Sequence, residues 1–319
     1  MNGYFVINKQ LFSKQTTLRN KISCEGVGVH SGDQITMTIS PSVAGSGIVF
    51  KRTDVQVSKS FVSARFDAVC DTKLGTRISN EYGVTVSTVE HLMAALWGVG
   101  IDNALIELDN SEVPIMDGSS EPFIFMLECA GVAFLDAPRN ILRVLKTVEV
   151  REGTSMIRIS PNKEGDAGML LNIEIDFSHS LIGKQTARYD FRDVTFKQSV
   201  SRARTFGFEH EATSLRAMGL VLGASLDNTV VLSKDAILNH DGLRYGDEFV
   251  RHKALDCVGD LFLAGVRIDG VVDCSRPGHS INNSLLRALF ADESAYVIES
   301  EDSIPSVLPS VEVVESVYA

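Results

Sequence analysis

Along 34–41, Ile35, Met37 and Ile39 alternate with polar residues, which predicts a half-buried strand, and Ser31-Gly32-Asp33 before it predicts a hairpin turn. The layout returns in the second half of the chain. Thr147-Val148-Glu149-Val150 leads through Glu152-Gly153-Thr154 into Ser155-Met156-Ile157-Arg158-Ile159-Ser160-Pro161: strand, glycine turn, strand, Ser-Pro stop. In the first half a helical run over 88–97 ends at Gly98 and Gly100, followed by a strand over 103–108 and a helix over 120–129 closed by Gly131. In the second half a helical run over 247–264 ends at Gly265, followed by a strand over 270–273 and a helix over 282–291. Each half therefore reads hairpin, further strand, helix, strand, helix. That pattern predicts an α+β protein of two related domains, each an antiparallel-rich sheet with its helices on one face. The boundary is expected at Ala137-Pro138-Arg139, giving domains over 1–138 and 139–299. The segment 300–319, with Pro305 and Pro309 among Ser and Val, reads as a peripheral tail.

Length and composition agree with two ordinary globular domains: 319 residues, 44% apolar and 22% charged. Lys plus Arg is 30 against 41 Asp plus Glu, a net charge of −11, and no basic run restores a local attraction for nucleic acid. Apolar stretches break before the roughly 18 residues that a membrane span needs. The opening MNGYFVINKQLFSKQ lacks the basic-then-apolar layout of a secretory signal. Five cysteines, odd in number and without CxxC spacing, argue against a disulfide framework or a thiolate metal site and for a reducing cytoplasm.

The run 247–264 reads DEFVRHKALDCVGDLFLA. Asp247 and Glu248 suit the positive end of a helix dipole, and Val250, Leu255, Val258, Leu261 and Phe262 supply a buried face. His252, Asp256 and Asp260 fall at i, i+4 and i+8, so they line one side of the helix. A His and an Asp four apart can aim a nitrogen and an oxygen at one metal ion, although the same spacing serves a solvated polar face. A catalytic zinc needs a third ligand from elsewhere, and His91, next to Glu90, is the candidate. Ser87-Thr88-Val89-Glu90 also matches a capping box, in which Glu90 reaches back to the Ser87 amide, and the spacing leaves both roles open. His279, in Arg276-Pro277-Gly278-His279-Ser280, gains interest if Asp260 can hold its second nitrogen.

Six collinear stretches carry a resemblance. They are Gly26-Val27-Gly28-Val29-His30-Ser31-Gly32, Val86-Ser87-Thr88-Val89-Glu90-His91-Leu92, Glu112-Val113-Pro114-Ile115-Met116-Asp117-Gly118-Ser119, and Ser201-Arg202-Ala203-Arg204-Thr205-Phe206-Gly207-Phe208. To these add 247–261 and Gly278-His279-Ser280-Ile281-Asn282-Asn283. From about Gln15 to Ala291 the chain resembles the family of UDP-3-O-acyl-N-acetylglucosamine deacetylases of Gram-negative lipid A biosynthesis. The resemblance implies two α+β domains with their helices sandwiched between the sheets. It implies His91, His252 and Asp256 as ligands of Zn2+, or of Fe2+, with Glu90 as general base. His279 then matches the second catalytic group, supported by Asp260, and Thr205 the hydroxyl that helps hold an oxyanion.

By the same resemblance Phe206 is an apolar wall for the sugar and Lys253 a cation for its polar or phosphate groups. Asp176 and Phe177 match a uridine-binding pair. Arg276 stands where a Lys near the diphosphate is expected, so the charge survives with a different geometry. Gly75 departs from a cysteine found in some relatives. Phe208, Leu215, Met218 and Leu222, within the apolar stretch 208–222, are expected to wall a passage for the acyl chain. The expected partner is a UDP-linked acylated amino sugar, with no nucleic acid and no membrane span, and the protein is expected to be a monomer in the cytoplasm. Two His and one carboxylate also suit a non-haem iron oxygenase, a nucleotide- or lipid-binding protein with a structural metal, or a zinc hydrolase of another amide.

Overall fold

The alternation over 34–41 is realised as a strand, Gln34–Pro41, with Ile35, Met37 and Ile39 buried. In the computed structural model, which describes residues 13–192 and 196–300, this strand pairs antiparallel with Ile22–Val27 on one side and Ala104–Leu108 on the other. Ile48–Arg52 then runs parallel to Ala104–Leu108, and Phe61–Ser63 antiparallel to Ile48–Arg52. The second half repeats this order strand for strand. Val148–Glu152 pairs antiparallel with Ser155–Ser160, and Ser155–Ser160 with Arg267–Ser275. Met169–Asp176 runs parallel to Arg267–Ser275, with Lys184–Asp190 antiparallel beyond it. The duplication read from the sequence thus extends to strand direction. Asn140–Val144 and Tyr296–Ser300 add to the second sheet only. Among the described residues, no sheet combines strands from both sides of Arg139.

Six helices are described: α1 Glu90–Val99, α2 Glu121–Ala130, α3 Phe196–Ser199, α4 Glu209–Ala217, α5 Glu248–Phe262 and α6 His279–Ala291. α1 and α5 occupy equivalent places, each leading into the central strand of its sheet, and α2 and α6 each follow that strand. After Glu90 and His91, α1 is apolar on every side, with Leu92, Met93, Ala94, Ala95 and Leu96 buried, as a helix enclosed by protein must be. It packs against both α2 and α5, while α2 lies on the first sheet and α5 and α6 on the second. The helices therefore form a layer between the sheets. No described helix is long and apolar enough to cross a membrane, and all five cysteines are free.

The α1–α5 crossing is close because α5 carries Gly259 where it meets α1. A Cβ there would stand 2.0 Å from the Glu90 carbonyl oxygen, a backbone atom that no rotamer change can move. Gly259→Ala is expected to force the helices apart and to cost at least about 1–3 kcal/mol, the usual penalty of overpacking. Urea denaturation reads this as a lower midpoint; an unchanged midpoint would contradict the contact.

Boundaries differ from the sequence reading at three informative places. α1 begins at Glu90, and α6 begins at His279 instead of near Asn282, which puts His279 on the first turn. In the apolar stretch 208–222, α4 has no buried residue. The expected tail lies outside the described residues except for Ser300, which ends a strand.

Candidate metal centre and active site

The α1–α5 crossing brings His91, the second residue of α1, to His252 and Asp256 on successive turns of α5. One donor atom from each lies within 4.8 Å of the others, and all three residues are buried. Nε2 of His91 and Nε2 of His252 each stand 3.4 Å from Asp256 Oδ1, and the two rings meet edge to face at 84°. His252 Nδ1 is 3.1 Å from the Ala203 carbonyl oxygen. A carbonyl only accepts, so Nδ1 carries the hydrogen and Nε2 turns its lone pair to the cluster. Burial pushes the His252 pKa down to about 3, keeping the ring neutral.

Burial alone would raise Asp256, but the Lys253 ammonium beside it outweighs this and holds the carboxyl well below the usual range. Lys253 Nζ donates to Asp256 Oδ2 at 3.0 Å. Asp256 Oδ1 is buried and has no hydrogen-bond partner among the described residues. An ionised oxygen without a donor, facing two imidazole nitrogens, is costly in a protein interior. A divalent cation accepting from all three donors removes that cost, so this donor set fits a metal.

Glu90 and His279 flank the triad. Glu90 Oε1 is 3.9 Å from His279 Nε2, and Glu90 Oε2 accepts the Thr76 amide at 2.9 Å. Burial raises the Glu90 pKa above its ordinary value, as suits a proton acceptor working near neutrality. The alternative capping box is not formed. The Ser87 amide donates to the Ser111 carbonyl, its hydroxyl accepts from Arg77 Nε at 2.9 Å, and Thr88 turns the chain with a φ of 58°. His279 Nδ1 lies 2.9 Å from Asp260 Oδ2. Burial alone would lower His279, but Asp260 and Glu90 outweigh it and push its pKa up to about 9, so the ring is an imidazolium at neutral pH.

These groups open onto a cavity of about 700 Å³, also lined by Thr205, Phe206, Phe208, Phe177 and Lys253. Asp256 outweighs burial and holds Lys253 charged, with Nζ 5.7 Å from the centre of the Phe206 ring. Phe177 stands edge-on to Phe206 at 5.6 Å. Leu215 and Val221 line the cavity, but Met218 and Leu222, both about half exposed, do not. The helix stops at Ala217, so helical spacing does not decide which later residues face the cavity: Val221 does, and Met218 and Leu222 do not. Asp176 and Arg276 also stay outside the lining and pair with each other.

Several residues of the site were not singled out by the sequence. Thr76 touches both Glu90 and Asp260. His30 lines the cavity, and its loop is held by Glu112, which accepts the His30 and Ser31 amides at 2.9 Å. Glu248, fully buried, accepts from Arg204 at its amide (3.0 Å), Nε (2.9 Å) and Nη2 (3.1 Å), tying the Ala203-Arg204-Thr205 segment to the start of α5. Glu248 had a signal: it stands four residues before His252 and extends the polar stripe.

Comparison with known proteins gives the family of the chain. Residues 15–291 match the LpxC family, described as UDP-3-O-acyl N-acetylglycosamine deacetylase. Three relatives carry the name UDP-3-O-acyl-N-acetylglucosamine deacetylase. That of Actinobacillus succinogenes is 46% identical over 297 residues, covering 92% of this chain and 96% of its own. That of Pasteurella multocida is 45% identical over 296 residues, covering 92% and 95%. That of Stenotrophomonas maltophilia is 44% identical over 308 residues, covering 96% and 99%. With both the family match and these identities spanning most of its length, the chain belongs to the LpxC deacetylase family.

Proposed function

We propose that the protein is a metal-dependent N-deacetylase that hydrolyses the acetamide of a UDP-3-O-acyl-N-acetylglucosamine, giving acetate and the free amine, in lipid A biosynthesis. The observation that carries this reading is the convergence of His91, His252 and Asp256 beside a buried Glu90–His279 pair. His91 Nε2, His252 Nε2 and Asp256 Oδ1 would hold the ion, and their N and O atoms suit Zn2+ or Fe2+. Such an ion, when bound, polarises a carbonyl and brings the pKa of water from 15.7 toward about 7.

The chain's own groups supply the proton transfers. Glu90, with Oε2 held by Thr76, takes the proton of the attacking water on Oε1. His279, charged at neutral pH, protonates the nitrogen of the departing amine, and Asp260 fixes its orientation. The Thr205 hydroxyl donates to the oxyanion that forms on the acetyl carbon's oxygen. Phe206 and Phe177 form the apolar wall against the sugar and the uridine, and Lys253 meets the polar groups. Asp176 and Arg276 reach a nucleotide only if their mutual ion pair opens. Phe208 and Leu215 contact the acyl chain. The free cysteines suit a reducing compartment, which supports a cytoplasmic setting for the proposed reaction.

Acetate release from UDP-3-O-acyl-N-acetylglucosamine tests the reading. A chelator is expected to abolish release and added Zn2+ or Fe2+ to restore it; release that persists in the metal-free protein would overturn it. Shortening the acyl chain is expected to lower kcat/KM by up to about fourfold per methylene, from roughly 0.8 kcal/mol of burial each. An enzyme indifferent to chain length places the acyl group elsewhere.

A further inference from the structure

Thr76 sits at the end of the turn between strands Val69–Asp71 and Arg77–Ser79 and is 1% exposed. Its amide donates to Glu90 Oε2 at 2.9 Å, and its hydroxyl donates to Asp260 Oδ1 at 2.5 Å. A carboxylate offers no hydrogen, so the hydroxyl must supply it. The remaining oxygens of the same two carboxylates are the ones that meet His279. Asp260 Oδ2 is 2.9 Å from Nδ1, and Glu90 Oε1 is 3.9 Å from Nε2. Thr76 therefore hydrogen-bonds both carboxylates, and His279 faces both from the other end, hydrogen-bonded to Asp260 and 3.9 Å from Glu90. The Thr76 carbonyl also accepts the Val89 amide at 3.3 Å, which ties the start of α1 to the same residue.

We infer that Thr76 is a positioning residue that aligns the proton acceptor and the proton donor together, an inference that rests on the roles proposed above for Glu90, His279 and Asp260. A carboxylate held at one oxygen turns less about its last side-chain bond, so the other oxygen keeps a fixed place relative to the imidazole. Proton transfer is sensitive to such placement, since displacements of about 1 Å can cost two orders of magnitude in rate. Deleting the hydroxyl leaves the amide bond to Glu90 in place and releases only Oδ1 of Asp260, whose Oδ2 still meets Asn282 Nδ2 at 2.8 Å and His279, which makes the two arms separable by experiment.

The test is a double-mutant cycle on the metal-loaded enzyme, comparing wild type, Thr76→Val, Asp260→Asn and the double variant by kcat, KM, bound metal and melting temperature. Thr76→Ala, which cannot overpack, repeats the deletion should the valine variant fail to fold. Thr76→Val is expected to lower kcat about tenfold, the scale of one hydrogen bond to a charged group, with KM and bound metal unchanged. Thr76→Ser should stay within about twofold of wild type. In the Asp260→Asn background the valine substitution should change kcat less than about twofold, because the group it acts through has already been altered. A full tenfold loss in both backgrounds, a change confined to KM, or an unaltered kcat would overturn the inference. If Asp260→Asn alone keeps wild-type turnover, the roles of Asp260 and His279 fail and the inference falls with them. A large loss in Asp260→Asn with normal turnover in Thr76→Val overturns the inference alone.

Discussion

Glu90→Gln is expected to lower kcat by about 10²–10⁴ while leaving metal content and fold unchanged, the contribution typical of a positioned general base. The amide preserves the shape of the carboxylate, and its oxygen can still accept the Thr76 N–H at the Oε2 position. It cannot accept a proton. It also withdraws a negative charge from His279, whose imidazolium form Glu90 helps to sustain after Asp260. One substitution thus removes the acceptor and weakens the donor, so the effect belongs at the upper end of that range. Because Glu90 is not among the three clustered ligand atoms, bound metal should remain at the wild-type level. Near-normal acetate release by this variant would end the base assignment, and loss of the metal would instead make Glu90 a ligand.

His252→Ala should lose both the metal and the activity. Removing a partner that merely orients a ligand usually costs about 10–100-fold in metal affinity, and His252 is proposed as a ligand itself, so a larger loss is expected. The alanine also takes away the ring whose Nδ1 is anchored on Ala203 and whose Nε2 faces Asp256 Oδ1 at 3.4 Å. Elemental analysis of the purified variant beside wild type reads the outcome directly. Full metal occupancy in His252→Ala would remove this residue from the ligand set.

Most of the scaffold could be read from the sequence because its signals are local. Period-2 alternation marked Gln34–Pro41 and Ser155–Ser160, and glycines closed the helical runs. The i, i+4, i+8 stripe on α5 places His252, Asp256 and Asp260 on one side by spacing alone. What could not be read depends on contacts between distant segments. Whether Ser87 and Glu90 cap a helix or serve a site turns on Thr76, Arg77 and Ser111, whose positions come from other strands and loops. The cavity wall misled for a related reason. Met218 and Leu222 are apolar like Leu215, but they lie past the end of α4 at Ala217, where the turn of the chain gives Val221 to the cavity instead, and apolar character does not report where a helix stops.

The repeated strand order means that the chain behaves as a tethered dimer of two similar halves. Of the residues proposed for the reaction centre, Glu90 and His91 belong to one, His252, Asp256, Asp260 and His279 to the other, so neither half alone holds the proposed set. In a reaction centre shared between separate subunits, assembly would weaken on dilution. Here the covalent link fixes an effective concentration on the order of millimolar or above, and the centre assembles equally well however scarce the protein is.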